Sequence, residues 1–208
     1  IMIKKKGLLL VISGPSGAGK GTVCKELLER NPEFKLSVSA TTRAPREGEV
    51  DGESYFFLTK EKFSEMIGQG GFLEYAQIYS NFYGTPKGPV MKYLEEGSDV
   101  ILEIEMQGAR QVKEMYPEAV LIFVLPPSLE ELRNRLTTRG TETEEQVNER
   151  LSTSLEEIKQ VKDYNYFIFN ENNKTTESAM IIENLIVAEK NKASRYEKAI
   201  IKKFEEEL

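Results

Sequence analysis

Three short apolar runs, Leu8 to Ile12, Val100 to Leu102 and Val120 to Leu125, alternate with amphipathic stretches whose apolar positions recur at helical spacing. Runs of this length that are apolar on both alternating faces predict buried strands of a parallel sheet, with helices packed against both faces. Val23 to Arg30 predicts a helix with Val23, Leu27 and Leu28 inward, stopped by Asn31-Pro32, and Phe34 to Ser39 predicts a second strand. Gln107 to Tyr116 predicts a helix that ends before Pro117. Ser128 with Glu131 reads as a capping box opening a helix to about Thr138, and Thr143 with Gln146 as another, opening a long helix to about Lys162; the turn Arg139-Gly140-Thr141 joins the two. Tyr166 to Asn170 predicts a last strand, and the stretch from about Thr176 onward a terminal helix or helix pair.

From Thr41 to Gly88 the alternation breaks. Short aromatic strands around Tyr55 to Leu58 and Phe72 to Tyr75 lie between glycine-rich turns, which predicts an inserted, mostly β subdomain. Placed after the second strand, it would overhang the carboxyl ends of the parallel sheet, where ligands of such folds bind. No internal repeat or low-complexity linker stands out.

The segment that carries chemistry follows the first strand: Gly14-Pro15-Ser16-Gly17-Ala18-Gly19-Lys20-Gly21-Thr22. Strand, glycine-rich turn and helix start in that order form a phosphate cradle, because backbone N–H groups point inward and the helix N-terminus adds partial positive charge. Lys20 brings a full charge to a phosphoryl group. The usual pattern has a hydroxyl residue after the lysine. Here Gly21 stands there and Thr22 comes one place later, so no residue of the loop is assigned as a direct metal ligand.

Composition narrows the chemistry further. The 208 residues suffice for a substantial core, and the formal charge of −6 argues against coating nucleic acid, so an anion site must be a local cluster. There is no histidine, which removes the commonest general base and metal ligand; phosphoryl transfer tolerates that, since it depends on positioning and charge stabilisation. The single cysteine, Cys24, is expected to be a buried thiol and fits a reduced cytoplasmic setting. No run approaches the length of a membrane span and the first residues lack a signal-peptide core, so neither membrane nor export is expected.

Just after the second predicted strand, Thr41 to Phe57 brings together Arg43, Pro45, Arg46 and Tyr55, two guanidinium forks and a phenol suited to a small phosphate. In isolation such arginines read equally well as solvated loop residues. This stretch, with the phosphate loop, resembles the signature of guanylate kinases. The likeness extends over nearly the whole chain through Phe72-Leu73-Glu74-Tyr75-Ala76, Tyr83-Gly84-Thr85, Glu103-Ile104-Glu105-Met106-Gln107-Gly108 and the run from Arg135 to Arg150.

The resemblance implies a P-loop α/β core (residues 3–39, 89–133 and 164–208), a GMP-binding insertion (40–88) and a helical lid (about 134–163), with the γ-phosphoryl group of MgATP passing to GMP or dGMP. It implies that Gly14 to Thr22 and Asn170 hold ATP, and that Lys20, Arg135, Arg139 and Arg150 stabilise the transferring group. Arg43, Arg46, Tyr55 and Tyr83 would hold the GMP phosphate, and Ser39, Glu74 and Thr85 would face guanine. Glu103 and Glu105 would lie at the GMP site, toward Mg²⁺, its waters or the guanosine; alternation alone also places the two on one polar strand face. The chemistry agrees at Glu74, since guanine offers N1–H and N2–H₂ side by side to a carboxylate and adenine does not. ATP and GMP are then the partners, and a homo-oligomer is compatible with the chain. Two rivals are a related module that docks phosphorylated peptides, disfavoured by the intact Lys20 and glycine loop, and a kinase for another phosphorylated acceptor, disfavoured by Ser39, Glu74 and Thr85.

Overall fold

The computed structural model describes residues 5–137 and 143–207. In chain order the elements are β1 (Leu9–Ser13), α1 (Lys20–Arg30), β2 (Lys35–Leu36), β3 (Ala40–Thr41), β4 (Phe56–Phe57), α2 (Lys60–Gly68), β5 (Phe72–Ile78), β6 (Asn81–Pro86), α3 (Lys87–Glu96) and β7 (Val100–Glu103). They continue with α4 (Met106–Met115), β8 (Val120–Leu125), α5 (Leu129–Thr137), α6 (Glu144–Ile158), a 3₁₀ turn (Lys159–Asp163), β9 (Tyr166–Phe169), α7 (Thr175–Glu189) and α8 (Ala193–Glu205).

Strand β1 occupies the middle of a five-stranded sheet ordered β2-β7-β1-β8-β9, all parallel. Its residues are all buried, and alternation sends them to different cores. Leu8, Leu10 and Ile12 pack with Val23 and Leu27 of α1 and Ile182 and Ile186 of α7, while Leu9 and Val11 pack with Val90 and Leu94 of α3 and Ala109 and Val112 of α4. A strand covered on both faces must be apolar at every position, which is why the run Leu8 to Ile12 was legible without alternation. The segment after β1 therefore emerges at the centre of the sheet's carboxyl edge, between β7 and β8.

The second sheet, ordered β4-β3-β6-β5, uses residues between 40 and 86 and is antiparallel except for the β3–β4 pair. Its small core is aromatic: Phe63 of α2 stacks on Phe72 at 4.4 Å and on Phe82 at 5.5 Å between ring centroids. The Thr59 hydroxyl caps α2 by accepting the Lys62 N–H.

Several boundaries differ from the sequence expectation. The strand expected over Phe34 to Ser39 is split, because after Ser37 N–H reaches Ile101 O the chain leaves β7 and Ser39 O accepts from Phe56 N–H in the second sheet. Helices α2 and α3 were not anticipated. Only half of the Ser128 capping box forms: Ser128 Oγ accepts the Glu131 N–H, but the Glu131 side chain turns to Arg135 instead. The Thr143–Gln146 box closes on both sides, and the helix it opens tightens into the 3₁₀ turn at Lys159. Among the described residues, no helix is long and apolar enough to cross a membrane.

Candidate phosphoryl-transfer site

The chain reverses between β1 and α1 so tightly that Gly19, the N-cap of α1, sits at φ 88°, a left-handed conformation that a side chain would strain. A Cβ there would also strike Asn170 Nδ2 at 2.2 Å. The first turn of α1 carries no acidic residue, which leaves its partial positive charge for an external anion. Lys20 Nζ donates to Gly14 O at 2.6 Å and Pro15 O at 3.3 Å, so the side chain folds back over the loop. A cleft of ≈ 650 Å³ opens above it, lined by loop residues from Ser16 to Thr22, by Glu103, Glu105 and Arg135, and by the turn at Asn170 to Asn173.

That turn is pinned to the loop. Asn170, 5 % exposed, donates from Nδ2 to Ala18 O at 3.0 Å, and its buried Oδ1 has no partner among the described residues. Arg135 spans the same gap: Nη1 donates to Ala18 O at 3.2 Å, Nη2 to Asn170 O at 2.7 Å and to Asn172 Oδ1 at 2.9 Å, and Nε to Glu131 Oε1 at 3.0 Å. From α6, Arg150 Nη2 donates to Ser16 Oγ at 2.7 Å. Arg139 lies outside the described residues.

Glu103 ends β7 and Glu105 stands at the N-cap position of α4 without a side-chain capping bond, which puts both carboxylates at the carboxyl edge beside Lys20. Burial raises the Glu103 carboxyl, with Lys20 pulling it down and Glu105 pushing it up. A Cβ on Gly21 would come within 3.3 Å of Glu103 Oε1, so the residue that replaces the usual hydroxyl lets this carboxylate close on the start of α1.

A second cleft of ≈ 390 Å³ lies under the antiparallel sheet, lined by Ser39, Tyr55, Glu74, Tyr83, Gln107 and Gly108, and it shares Lys20, Glu103 and Glu105 with the first. Glu74 is 8 % exposed, and burial raises its carboxyl despite the Thr85 hydrogen bonds that lower it. Thr85 is itself buried and turns its hydroxyl to Glu74 Oε1 at 2.6 Å rather than into the cleft. Behind Tyr55 and Tyr83, Arg43 lies over the rings of Tyr55 and Phe57 with Cζ 5.5 and 5.9 Å from their centroids; Arg46 is exposed.

Three neighbours of the site escaped the sequence reading. Gly108 brings α4 so close to Glu74 that a Cβ would lie 2.8 Å from Oε2; its motif was visible, its contact was not. Glu157, seven residues after Arg150 and so on the same face of α6, meets the phosphate loop, where burial and Glu105 raise its carboxyl and Lys20 and the Ser16 N–H lower it. Glu49 pairs with Arg43. Spacing puts Glu157 on the face of Arg150 but does not say that this face meets the phosphate loop, and nothing in it marks Glu49.

A phosphate loop at the centre of a parallel sheet, joined through one lysine and two carboxylates to a second nucleotide-sized cleft, defines a P-loop phosphotransferase. Relatives narrow the class. The sequence model of the family described as guanylate kinase matches residues 6–189. A guanylate kinase of Clostridioides difficile (strain 630) is 68 % identical over 207 residues, covering 100 % of both chains. A guanylate kinase of Caldanaerobacter subterraneus subsp. tengcongensis is 53 % identical over 206 residues, covering 99 % of both. Among solved structures, the crystal structure of guanylate kinase from Anaplasma phagocytophilum superposes with a TM-score of 0.69 at 36 % identity, covering 92 % of this chain and 90 % of that one. The chain belongs to the guanylate kinase family.

Proposed function

We propose that the protein transfers the γ-phosphoryl group of ATP to GMP, giving ADP and GDP, with dGMP as a second acceptor. The observation that carries this reading is the junction of the two clefts at Lys20, Glu103 and Glu105. A donor whose phosphates lie on the loop and an acceptor whose base lies at Glu74 would meet there.

In the second cleft, ionised Glu74 accepts from guanine N1–H and N2–H₂, with Ser39 at the base and Thr85 holding Glu74. Adenine would set a ring-nitrogen acceptor against the carboxylate, and each unpaired buried group costs about 1–3 kcal/mol, so discrimination of a thousandfold or more follows from two or three mismatches. Arg43, Arg46, Tyr55 and Tyr83 take the GMP phosphate. One of its oxygens, already anionic at neutral pH, attacks the γ-phosphorus while the bond to the β-phosphate oxygen breaks; no base is required. Gly14 to Thr22 hold the donor phosphates and Asn170 borders its base. Lys20, with Arg135, Arg139 and Arg150 of the lid (about 134–163), stabilises charge on the equatorial oxygens; residues 40–88 form the GMP-binding insertion.

The oxygen-only donor set of Glu103, Glu105 and Thr22 around Lys20 suits a hard cation. These residues would hold Mg²⁺ with ATP through its waters. When bound it neutralises phosphate charge. The reading is tested by following ADP formation from MgATP with GMP, with dGMP and without acceptor. Turnover that requires a guanine nucleotide supports it, and equal turnover without acceptor overturns it.

A further inference from the structure

Glu49 lies in the same turn as Arg43 and Arg46, and its carboxylate is wholly engaged there. Arg43 donates from Nη1 to Glu49 Oε2 at 3.0 Å and from Nη2 to Oε1 at 2.8 Å, and Oε2 also accepts the backbone N–H of Arg46 at 2.8 Å. The second Nη1 hydrogen goes to Ala44 O at 2.8 Å.

A guanidinium has two bidentate edges, the end-on pair Nη1/Nη2 and the side-on pair Nε/Nη2. Glu49 fills the end-on edge. Among the hydrogen bonds of the described residues none is made by Arg43 Nε–H, and the Tyr83 side chain, assigned to the same phosphate, also hydrogen-bonds the guanidinium on the side away from Glu49. The Tyr55 and Phe57 rings fix its plane. A phosphate that displaced Glu49 would have to break two charge-assisted hydrogen bonds and strand a carboxylate beside itself, whereas one arriving at the side-on edge keeps them all.

We propose that Glu49 is a positioning residue for the acceptor phosphate: by closing the end-on edge of Arg43 it presents the Nε/Nη2 edge to the phosphate of GMP. The proposal rests on the assignment of Arg43 to that phosphate made above. The pair holds the Glu49 carboxyl down at about 2, so the arrangement persists throughout the neutral range.

The test compares Glu49→Gln, Arg43→Ala and the double variant in GMP KM, kcat and the inhibition constant of guanosine, which lacks the phosphate. Glu49→Gln is expected to raise GMP KM about tenfold. It should leave kcat within about twofold and guanosine binding unchanged, and add nothing in the Arg43→Ala background. Unchanged GMP KM, guanosine binding weakened in step, or a full additional loss in the Arg43→Ala background would each overturn it. If Arg43→Ala alone left GMP KM unchanged, the phosphate-site reading itself would fail and take this proposal with it.

Discussion

Thr85 and Glu74 face each other across β5 and β6, and the threonine hydroxyl donates to Glu74 Oε1 at 2.6 Å. The bond occupies one carboxylate oxygen from behind and fixes the direction of the other. In Glu74→Gln the amide keeps an oxygen for Thr85 but turns a donor toward the base proposed to bind there. GMP kcat/KM is expected to fall by about two orders of magnitude or more while ATP KM stays within a few fold, measured by steady-state kinetics with each substrate varied in turn.

The same variant should not cost stability. Burial raises the Glu74 carboxyl, so the folded protein holds that proton more tightly than the unfolded chain does. Such a group favours folding below its unfolded pKa, and the contribution is lost as pH rises through the folded value. At neutral pH the buried charge is a net burden, and Glu74→Gln is expected to match or exceed the parent in Tm at pH 7. A clear fall in Tm there would count against this.

Activity should carry the same signature. If Glu74 reads guanine as proposed, both its oxygens must accept at once, which only the ionised carboxylate can do, so kcat/KM for GMP is expected to drop on the acid side with a midpoint above the ordinary glutamate value of about 4.3. A pH profile of kcat/KM, taken with GMP limiting and ATP saturating, checks this. A midpoint at or below the ordinary value would remove Glu74 from the recognition of the base.

Gly108 gives a steric test of the same carboxylate. A methyl group there would lie 2.8 Å from Glu74 Oε2, and either the carboxylate or α4 must move. Gly108→Ala is expected to raise GMP KM by about tenfold or more with ATP KM little changed, since an angstrom of displacement is costly where a base is read by two hydrogen bonds.

Much of this arrangement was legible in the sequence because it rests on strong local signals. Strand β1, the loop and α1 were marked by an apolar run, glycines and a lysine in fixed order, and β8 by six consecutive apolar residues. Helix α2 was hidden because its sequence Lys60–Gly68 is mostly polar; Phe63 becomes a core residue only once Phe72 and Phe82 stack on it. The strand expected to Ser39 ended early because the chain crosses between two sheets, an event with no composition of its own. At the site, glycines, arginines and Glu74 could be proposed from motifs, but the pairing of Glu49 with Arg43 and the meeting of Glu157 with the phosphate loop depend on side-chain directions that spacing does not encode.

Lys20 separates chemistry from binding. Among the described residues its Nζ bonds to carbonyls of its own loop, Gly14 O and Pro15 O, so Lys20→Ala removes charge from the cleft without opening the core. If Lys20 stabilises the transferring phosphoryl group as proposed, a fall in kcat of about a thousandfold, with unchanged GMP affinity and Tm, is expected. Single-turnover kinetics with calorimetric GMP titration measure the two halves.

Lys20, Glu103 and Glu105 are shared by two clefts, proposed above to be a donor site and a guanine-reading acceptor site. The most direct test of that assignment is kcat/KM for MgATP-dependent phosphorylation of GMP, dGMP, AMP, CMP, UMP and dTMP in parallel. Turnover of the guanine nucleotides is expected, with the others lower by about a thousandfold or more. Phosphorylation of AMP or a pyrimidine nucleotide at a rate near that of GMP, or GMP binding without ADP formation, would contradict it.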